Sequence, residues 1–152
     1  MRTAPSAGTE LVPAEDLRQL LACRGFFPNI TSMTFDALRA QILAFRDERD
    51  WDQFHQPKEL AMALSIEASE LLEHFLWKST KEVEERIATR REDIADELAD
   101  VAVYLIELAD KVGVDLPTAI QRKMAKNAIK YPVEKAKGSN KKYSEFTKDD
   151  AS

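Results

Sequence analysis

The chain has 152 residues, of which 44% are apolar and 32% are charged, and its net charge is −5. This length and composition are typical of one folded domain, and they exclude disorder over most of the chain. The acidic balance argues against general binding to nucleic acid or to an anionic membrane, because both need surplus positive charge.

Cysteine and histidine are too scarce for several kinds of site. The single cysteine, Cys23, excludes an internal disulfide and a thiolate metal cluster. The two histidines, His55 and His74, are too few for a histidine-rich zinc site. No apolar run reaches the roughly 20 residues that span a bilayer, and the N-terminal residues lack the apolar core of a signal peptide. We therefore expect a soluble, cytoplasmic protein.

The first part of the chain is irregular and the helical pattern follows it. Residues 1–33 are interrupted by proline and glycine, and we interpret them as an N-terminal arm. Thr34 is a suitable N-cap, so a first helix is predicted to begin after it and to end near Trp51. The apolar residues of this helix recur at helical spacing: Phe35, Leu38, Ile42 and Phe45.

Three further helices are predicted over residues 58–77, 82–112 and 115–130, and the second of these contains a possible break near residues 88–89. Gly113 is a typical C-terminal stop for a helix.

Long helices joined by short loops predict an all-α fold, an antiparallel four-helix bundle. The helical domain covers residues 34–132, and residues 133–152 are predicted to form a polar C-terminal tail.

Two carboxylates fall on the apolar stripe of the second helix. At about 100° of rotation per residue, Glu67 lies within roughly 60° of three leucines, and Glu70 lies on the same side. These leucines are Leu60, Leu64 and Leu71. An acid pair therefore occupies the face that should be buried.

The third predicted helix repeats this arrangement. Val101 and Leu108 flank Glu97 on one side, and Asp100 and Tyr104 lie on the other. If the two faces meet, four carboxylates converge.

Buried carboxylates are costly unless their charge is matched, and a divalent cation would match it. Oxygen ligands without cysteine or paired histidine suit Mg²⁺, with Mn²⁺ as a second choice. Any one of these acids alone is more simply explained as part of a solvated helix face. The two pairs together favour a metal site.

Several motifs accompany the acids in a fixed order. Residues 67–73 contain E-x-x-E, and residues 96–101 contain E-x-x-D. The other segments are RDERDWDQFHQP (46–57), ELLEHFLW (70–77), VDLPTAIQRKM (114–124) and KMAKNAIKYP (123–132). Over about residues 35–146 the chain thus resembles the all-α nucleoside triphosphate pyrophosphohydrolases of the MazG-like type, in particular the dCTP pyrophosphatase branch.

The resemblance implies hydrolysis of a deoxynucleoside triphosphate, most of all dCTP or a modified dCTP, to the monophosphate and pyrophosphate. Such an enzyme removes unwanted nucleotides from the pool. The magnesium ligands it implies are Glu67, Glu70, Glu97 and Asp100. Either Glu70 or Glu73 would accept the proton of the attacking water, and the sequence does not decide between them.

The resemblance also implies a substrate-binding set. Its members are Ile42, Trp51, Gln53, Phe54, His55, Trp77, Tyr104, Lys123, Lys126, Asn127, Lys130 and Tyr131. Flat aromatic rings stack on a nucleobase and contribute about 1–3 kcal/mol each. Without the resemblance, core packing explains the aromatic residues and a solvated helix face explains the lysines. Both histidines are better explained by hydrogen bonding or packing than by metal binding.

One position departs from the family pattern. Relatives that are specific for dCTP carry a histidine nine residues before the first tryptophan, and this chain has Ile42 there. We therefore expect a relaxed preference for cytosine. The family also implies a homodimer or homotetramer.

Two other functions remain open from the residues alone. A di-metal carboxylate oxidoreductase on a four-helix bundle would need Glu-x-x-His pairs, and neither Glu67 nor Glu97 begins one. A non-catalytic helical interaction module would explain the charged helices, but it would not explain acids on apolar faces.

Overall fold

The structure is a computed structural model, and it describes residues 33–143. Within this range the chain forms six helices and no strand, which confirms the all-α prediction. The helices are α1 (Phe35–Asp47), α2 (Pro57–Glu73), α3 (Thr80–Thr89), α4 (Arg91–Lys111), α5 (Leu116–Lys130) and α6 (Val133–Ala136).

The chain divides into two compact units after Arg49. Almost all of the predicted arm lies outside the described residues, as does the end of the predicted tail. The short helix α6 lies within that tail. The predicted domain boundaries themselves stay a prediction.

The first unit contains α1, whose start agrees with the sequence and whose end does not. The hydroxyl of Thr34 accepts a hydrogen bond from the amide of Ala37 at 3.2 Å, as expected of an N-cap. The predicted end near Trp51 was wrong, because α1 ends at Asp47. The amide of Arg49 donates to the carbonyl of Arg46, three residues back, which tightens the last turn.

In the second unit α2 also ends earlier than predicted. Its start at Pro57 suits a proline in the first helical turn. It stops at Glu73 rather than Trp77, because the next residues form a turn in which two amides share the carbonyl of Leu72. Trp77 then adopts a left-handed backbone with φ of 56°.

The third predicted helix is two helices. The backbone of Arg90 leaves the helical region, with φ of −129° and ψ of 36°, and it separates α3 from α4 close to the predicted break. A capping box begins α3: the amide of Ser79 donates to the Glu82 carboxylate at 2.8 Å, and the Glu82 amide donates back to the Ser79 hydroxyl. Gly113, with φ of 66°, follows the end of α4 as expected.

The pairing of α2 with α4 organises the second unit, and α3 contacts α4 at fewer positions. His55, just before α2, is hydrogen-bonded to Glu107 near the end of α4. Glu67, further along α2, approaches Glu97 near the start of α4. The two helices therefore run antiparallel. Leu60 on α2 is 1% exposed and is the most completely buried large side chain among the described residues.

Many apolar side chains remain exposed on the single chain. They include Met62, Ile66 and Leu72 on α2, Leu98 on α4, and Ile120, Met124 and Ile129 on α5, each more than half exposed. None of the helices between residues 33 and 143 combines the length and the apolar composition needed to cross a membrane.

Candidate functional site

Three carboxylates meet where α2 packs against α4. One oxygen from each of Glu67, Glu70 and Glu97 can be chosen so that all three lie within 4.8 Å of one another. The convergence predicted from the two acid pairs is therefore present for these three members. Glu67 and Glu97 are half-buried between the two helices, whereas Glu70 and Asp100 are exposed, so the expectation that both acids of each pair lie on a buried face was wrong for these two.

The electrostatics of the cluster are those of unmatched negative charge. Burial raises the pKa of Glu67, and the negative charges of Glu70, Asp100 and Glu97 raise it further. Asp100 lies outside the group of three, yet its charge acts on Glu67. A set of carboxylate oxygens with this excess of charge fits a hard divalent cation such as Mg²⁺ or Mn²⁺.

Tyr104 lies one turn after Asp100 on α4, beside the cluster. Burial raises the pKa of its phenol, and the negative charges of Glu67, Asp100 and Glu107 raise it further. The hydroxyl therefore stays protonated at neutral pH and can donate a hydrogen bond to an anionic group. Its ring centroid lies 6.3 Å from that of His55.

The segment before α2 forms a compact aromatic loop, residues 50–56. The carbonyl of Trp51 accepts hydrogen bonds from the amides of Phe54 and His55 at 2.9 and 3.0 Å. The side-chain amide of Gln53 donates to the carbonyl and to the carboxylate of Asp50. The NH₂ group of Gln53 is thus used to close the loop, while the side chain of Phe54 is exposed.

Two polar contacts join this loop to the end of α4. Nδ1 of His55 lies 2.6 Å from Oε2 of Glu107. The ammonium of Lys111 lies 2.6 Å from the carboxylate of Asp52 and 3.3 Å from its carbonyl oxygen. The sequence reasoning missed Glu107 and Lys111. A signal existed, since Glu107 lies seven residues, or about two turns, after Asp100 on a similar side of α4.

Both tryptophans lie at left-handed turns. Asp50, with φ of 54°, immediately precedes Trp51, and Trp77 itself has φ of 56°. Such a backbone is costly for a residue with a side chain, and for a bulky one it is a marked outlier. The Trp77 side chain is 94% exposed, so core packing does not explain it in the single chain. Trp51 is also exposed, with its ring centroid 6.0 Å from that of His55.

The other residues predicted to belong to the site lie outside the group of three clustered carboxylates and outside the aromatic loop. Glu73 is exposed at the last position of α2, one turn after Glu70. Ile42 is half-buried on α1, in the first unit. The remaining residues lie on exposed parts of α5 or at its C-cap, except that Asn127 is half-buried: Lys123, Lys126, Asn127, Lys130 and Tyr131. The substrate roles assigned to all of them stay predictions.

His74 is buried at the C-cap of α2. Its Nδ1 accepts a hydrogen bond from Nε of Arg86 on α3, with a separation of 3.4 Å. This contact agrees with the expectation that His74 takes part in hydrogen bonding and packing.

Comparison with known proteins confirms the resemblance drawn from the motifs. A model of the MazG-like family matches residues 62–146. The chain is 41% identical over 127 residues to the Homo sapiens protein named dCTP pyrophosphatase 1, covering 82% of this chain and 75% of that protein. The Mus musculus protein of the same name is 43% identical over 115 residues, or 74% and 68% of the two chains.

A solved structure is also similar. The crystal structure of a pyrophosphatase from Archaeoglobus fulgidus DSM 4304 matches with a TM-score of 0.63 and 38% sequence identity. The match covers 70% of this chain and 99% of that one. This chain thus shares its all-α fold with a pyrophosphatase of known crystal structure.

Proposed function

Since the chain belongs to the MazG-like family, we propose that it is a nucleoside triphosphate pyrophosphohydrolase acting on dCTP or a related pyrimidine deoxynucleotide. It would release the monophosphate and pyrophosphate and so clear unwanted nucleotides from the pool. The observation that carries the proposal is the carboxylate cluster formed where α2 packs against α4. The named function of the human and mouse relatives supports the choice of dCTP.

We assign Glu67, Glu70, Glu97 and Asp100 as the residues that hold the metal. Mg²⁺ or Mn²⁺ bound there would neutralise triphosphate charge and lower the pKa of a water molecule. Glu70 lies in the cluster and Glu73 lies one turn further on, so either carboxylate can take the proton of an attacking water.

We assign binding of the nucleobase to the aromatic side chains. Both Trp51 and Trp77 have side chains partly or largely exposed to solvent, which supports a role in stacking on a base. The protonated hydroxyl of Tyr104 is a suitable donor to a sugar or phosphate oxygen. Lysines on the exposed face of α5 supply positive charge for the triphosphate. Ile42, which cannot form a hydrogen bond, would relax the choice of base.

We also propose that the active form is a homodimer or homotetramer. α2 and α5 both expose several large apolar side chains on the single chain. Association of copies would remove this apolar surface from water, which is the main driving force for such assembly. The cytoplasmic location expected from the sequence stays a prediction.

The test is a substrate screen with detection of pyrophosphate, in the presence and absence of Mg²⁺. We expect metal-dependent release from dCTP and its near relatives. Glu85 is an exposed carboxylate on α3, so Glu85→Gln is the matched control for variants that remove one charge from the carboxylate cluster. No release from any nucleoside triphosphate with Mg²⁺ or Mn²⁺ would overturn the proposal, and it would favour the non-catalytic interaction module.

A further inference from the structure

Glu107 is a deeply buried carboxylate outside the cluster. It is 3% exposed, and a buried carboxylate is strongly destabilising unless a partner compensates it. The partner is Nδ1 of His55, at 2.6 Å. These two residues are 52 positions apart, so the contact fixes the aromatic loop to α4.

A second contact supports the first. One turn after Glu107, Lys111 forms an ion pair with Asp52 and also donates to the Asp52 carbonyl. The Lys111 side chain is largely buried, so water screens this pair less than it screens a surface pair. The loop is therefore held at two points, which lie on either side of its tip at residues 53–54.

The anchored loop approaches Tyr104, beside the carboxylate cluster, through a series of tilted aromatic contacts. Ring centroids of Trp51 and His55 are 6.0 Å apart, and those of His55 and Tyr104 are 6.3 Å apart. Tyr104 lies one turn from Asp100 on the same helix. A single rigid element, α4, thus carries acids of the cluster in one part and the anchors of the aromatic loop in the next.

We propose that Glu107 and Lys111 are positioning residues that hold the Trp51 ring at a fixed place relative to the carboxylate cluster. They act through His55 and Asp52. The inference rests on the proposed function, in which Trp51 binds the base and the cluster binds the phosphates. The base and the phosphates are parts of one molecule, so a displaced ring costs nucleotide affinity even when both half-sites are intact.

The main experiment compares Glu107→Ala with Ile106→Ala, a buried neighbour on the same helix whose side chain is purely apolar. Two quantities are measured: KM for dCTP, and the inhibition constant of inorganic tripolyphosphate, which has the phosphates but no base. For Glu107→Ala we expect KM to rise about tenfold, the scale of one lost hydrogen bond to a charged group. Tripolyphosphate inhibition should change by less than about twofold. Ile106→Ala should lower the melting temperature and leave both constants near wild type.

A conservative variant separates positioning from folding. Glu107→Gln keeps an acceptor for His55, so it should retain most of the affinity that Glu107→Ala loses. If Glu107→Ala does not fold, Lys111→Met takes its place in the comparison, because the Asp52 side chain that it leaves unpaired is 48% exposed and can be hydrated. Equal weakening of dCTP and tripolyphosphate binding would overturn the proposal and indicate a general structural role.

A readout that needs no catalysis distinguishes this inference from the proposed function. Trp77→Phe leaves Trp51 as the single tryptophan, so its fluorescence reports on the loop. In that background Glu107→Ala should shift the emission to longer wavelength and increase quenching by acrylamide. Unchanged emission and quenching would overturn the positioning role. Absence of pyrophosphate release by the wild type would instead overturn the proposed function, whatever the fluorescence shows.

Discussion

The two ends of α4 differ in whether their charged side chains have compensating polar partners. Near its start, Glu97 faces Glu67 and Glu70 of α2, so negative charge is crowded and unmatched. Near its end, Glu107 contacts His55 and Lys111 contacts Asp52, so each charged side chain has a polar partner. The same residue type, glutamate, therefore suits metal binding in one part and attachment of a loop in the other. The balance of charge around a carboxylate distinguishes the two uses.

The largest expected loss of activity comes from substitutions in the carboxylate cluster, where negative charge is unmatched. Glu67→Gln, Glu70→Gln, Glu97→Gln and Asp100→Asn should each lower kcat/KM by about a hundredfold or more, since each removes a ligand charge while keeping the side-chain volume. Pyrophosphate release measures the loss, and circular dichroism checks that the helices are retained. Full activity in any two of the four variants would contradict the assignment.

The next effect concerns the aromatic residues. Trp51→Ala and Trp77→Ala should each raise KM about fivefold to a hundredfold, the range that 1–3 kcal/mol of stacking gives. Stacking acts on the ground and transition states alike, so kcat and the concentration of Mg²⁺ needed for half-maximal rate should change little. If both variants bind nucleotide as the wild type does, the tryptophans have no part in base binding.

The two parts of α4 should also respond oppositely in stability. Without metal at neutral pH, Glu67→Gln should raise the melting temperature because it relieves repulsion, whereas Glu107→Gln should lower it because it weakens a buried charged contact. Calorimetry measures both. A lower melting temperature for metal-free Glu67→Gln would indicate that Glu67 is a satisfied structural residue.

The pH dependence of the same metal-free proteins tests this point further. The pKa of Glu67 is raised in the folded state, so the folded protein binds this proton more tightly than the unfolded chain. Ionised Glu67 destabilises the folded protein at pH values above its raised pKa. This destabilisation is lost as the pH falls through the raised pKa toward the pKa of the unfolded chain. The melting temperature of the wild type should therefore rise when the pH is lowered mildly from neutral, and this rise should be smaller in Glu67→Gln.

The smallest effect concerns base choice. Ile42 offers no hydrogen bond, so we expect at least one pyrimidine triphosphate other than dCTP within about a hundredfold in kcat/KM, and Ile42→His should widen that gap. Competition between paired substrates measures the ratio. A wild-type enzyme that hydrolyses dCTP and no other pyrimidine triphosphate would show that Ile42 is irrelevant to base choice.

Sequence patterns predict the helices and the acid pairs because both depend on local spacing. Thr34 and Gly113 act as the predicted helix boundaries, and three of the four predicted acids converge. The ends of α1 and α2 were harder to predict, because left-handed turns follow them at Asp50 and Trp77, where glycine would be the usual signal.

The attachment of the aromatic loop escaped prediction for a different reason. In the sequence nothing distinguishes Lys111 from an ordinary charged helix residue, and Glu107 is marked only by its spacing of seven residues from Asp100. Their partners, His55 and Asp52, lie more than fifty residues away, so only the packing of α2 against α4 reveals the pairs. Local periodicity indicates which face a residue occupies, but it does not identify the residue opposite.

Titration calorimetry of Mn²⁺ binding tests the central claim most directly. The measurement shows which part of α4 holds the metal, and it does not require catalysis. Three proteins are compared: the wild type, Glu97→Gln and Glu107→Gln. We predict that the wild type and Glu107→Gln bind Mn²⁺ with similar affinity, and that Glu97→Gln binds it at least about tenfold more weakly. No binding by the wild type, or equal weakening in both variants, would contradict the account.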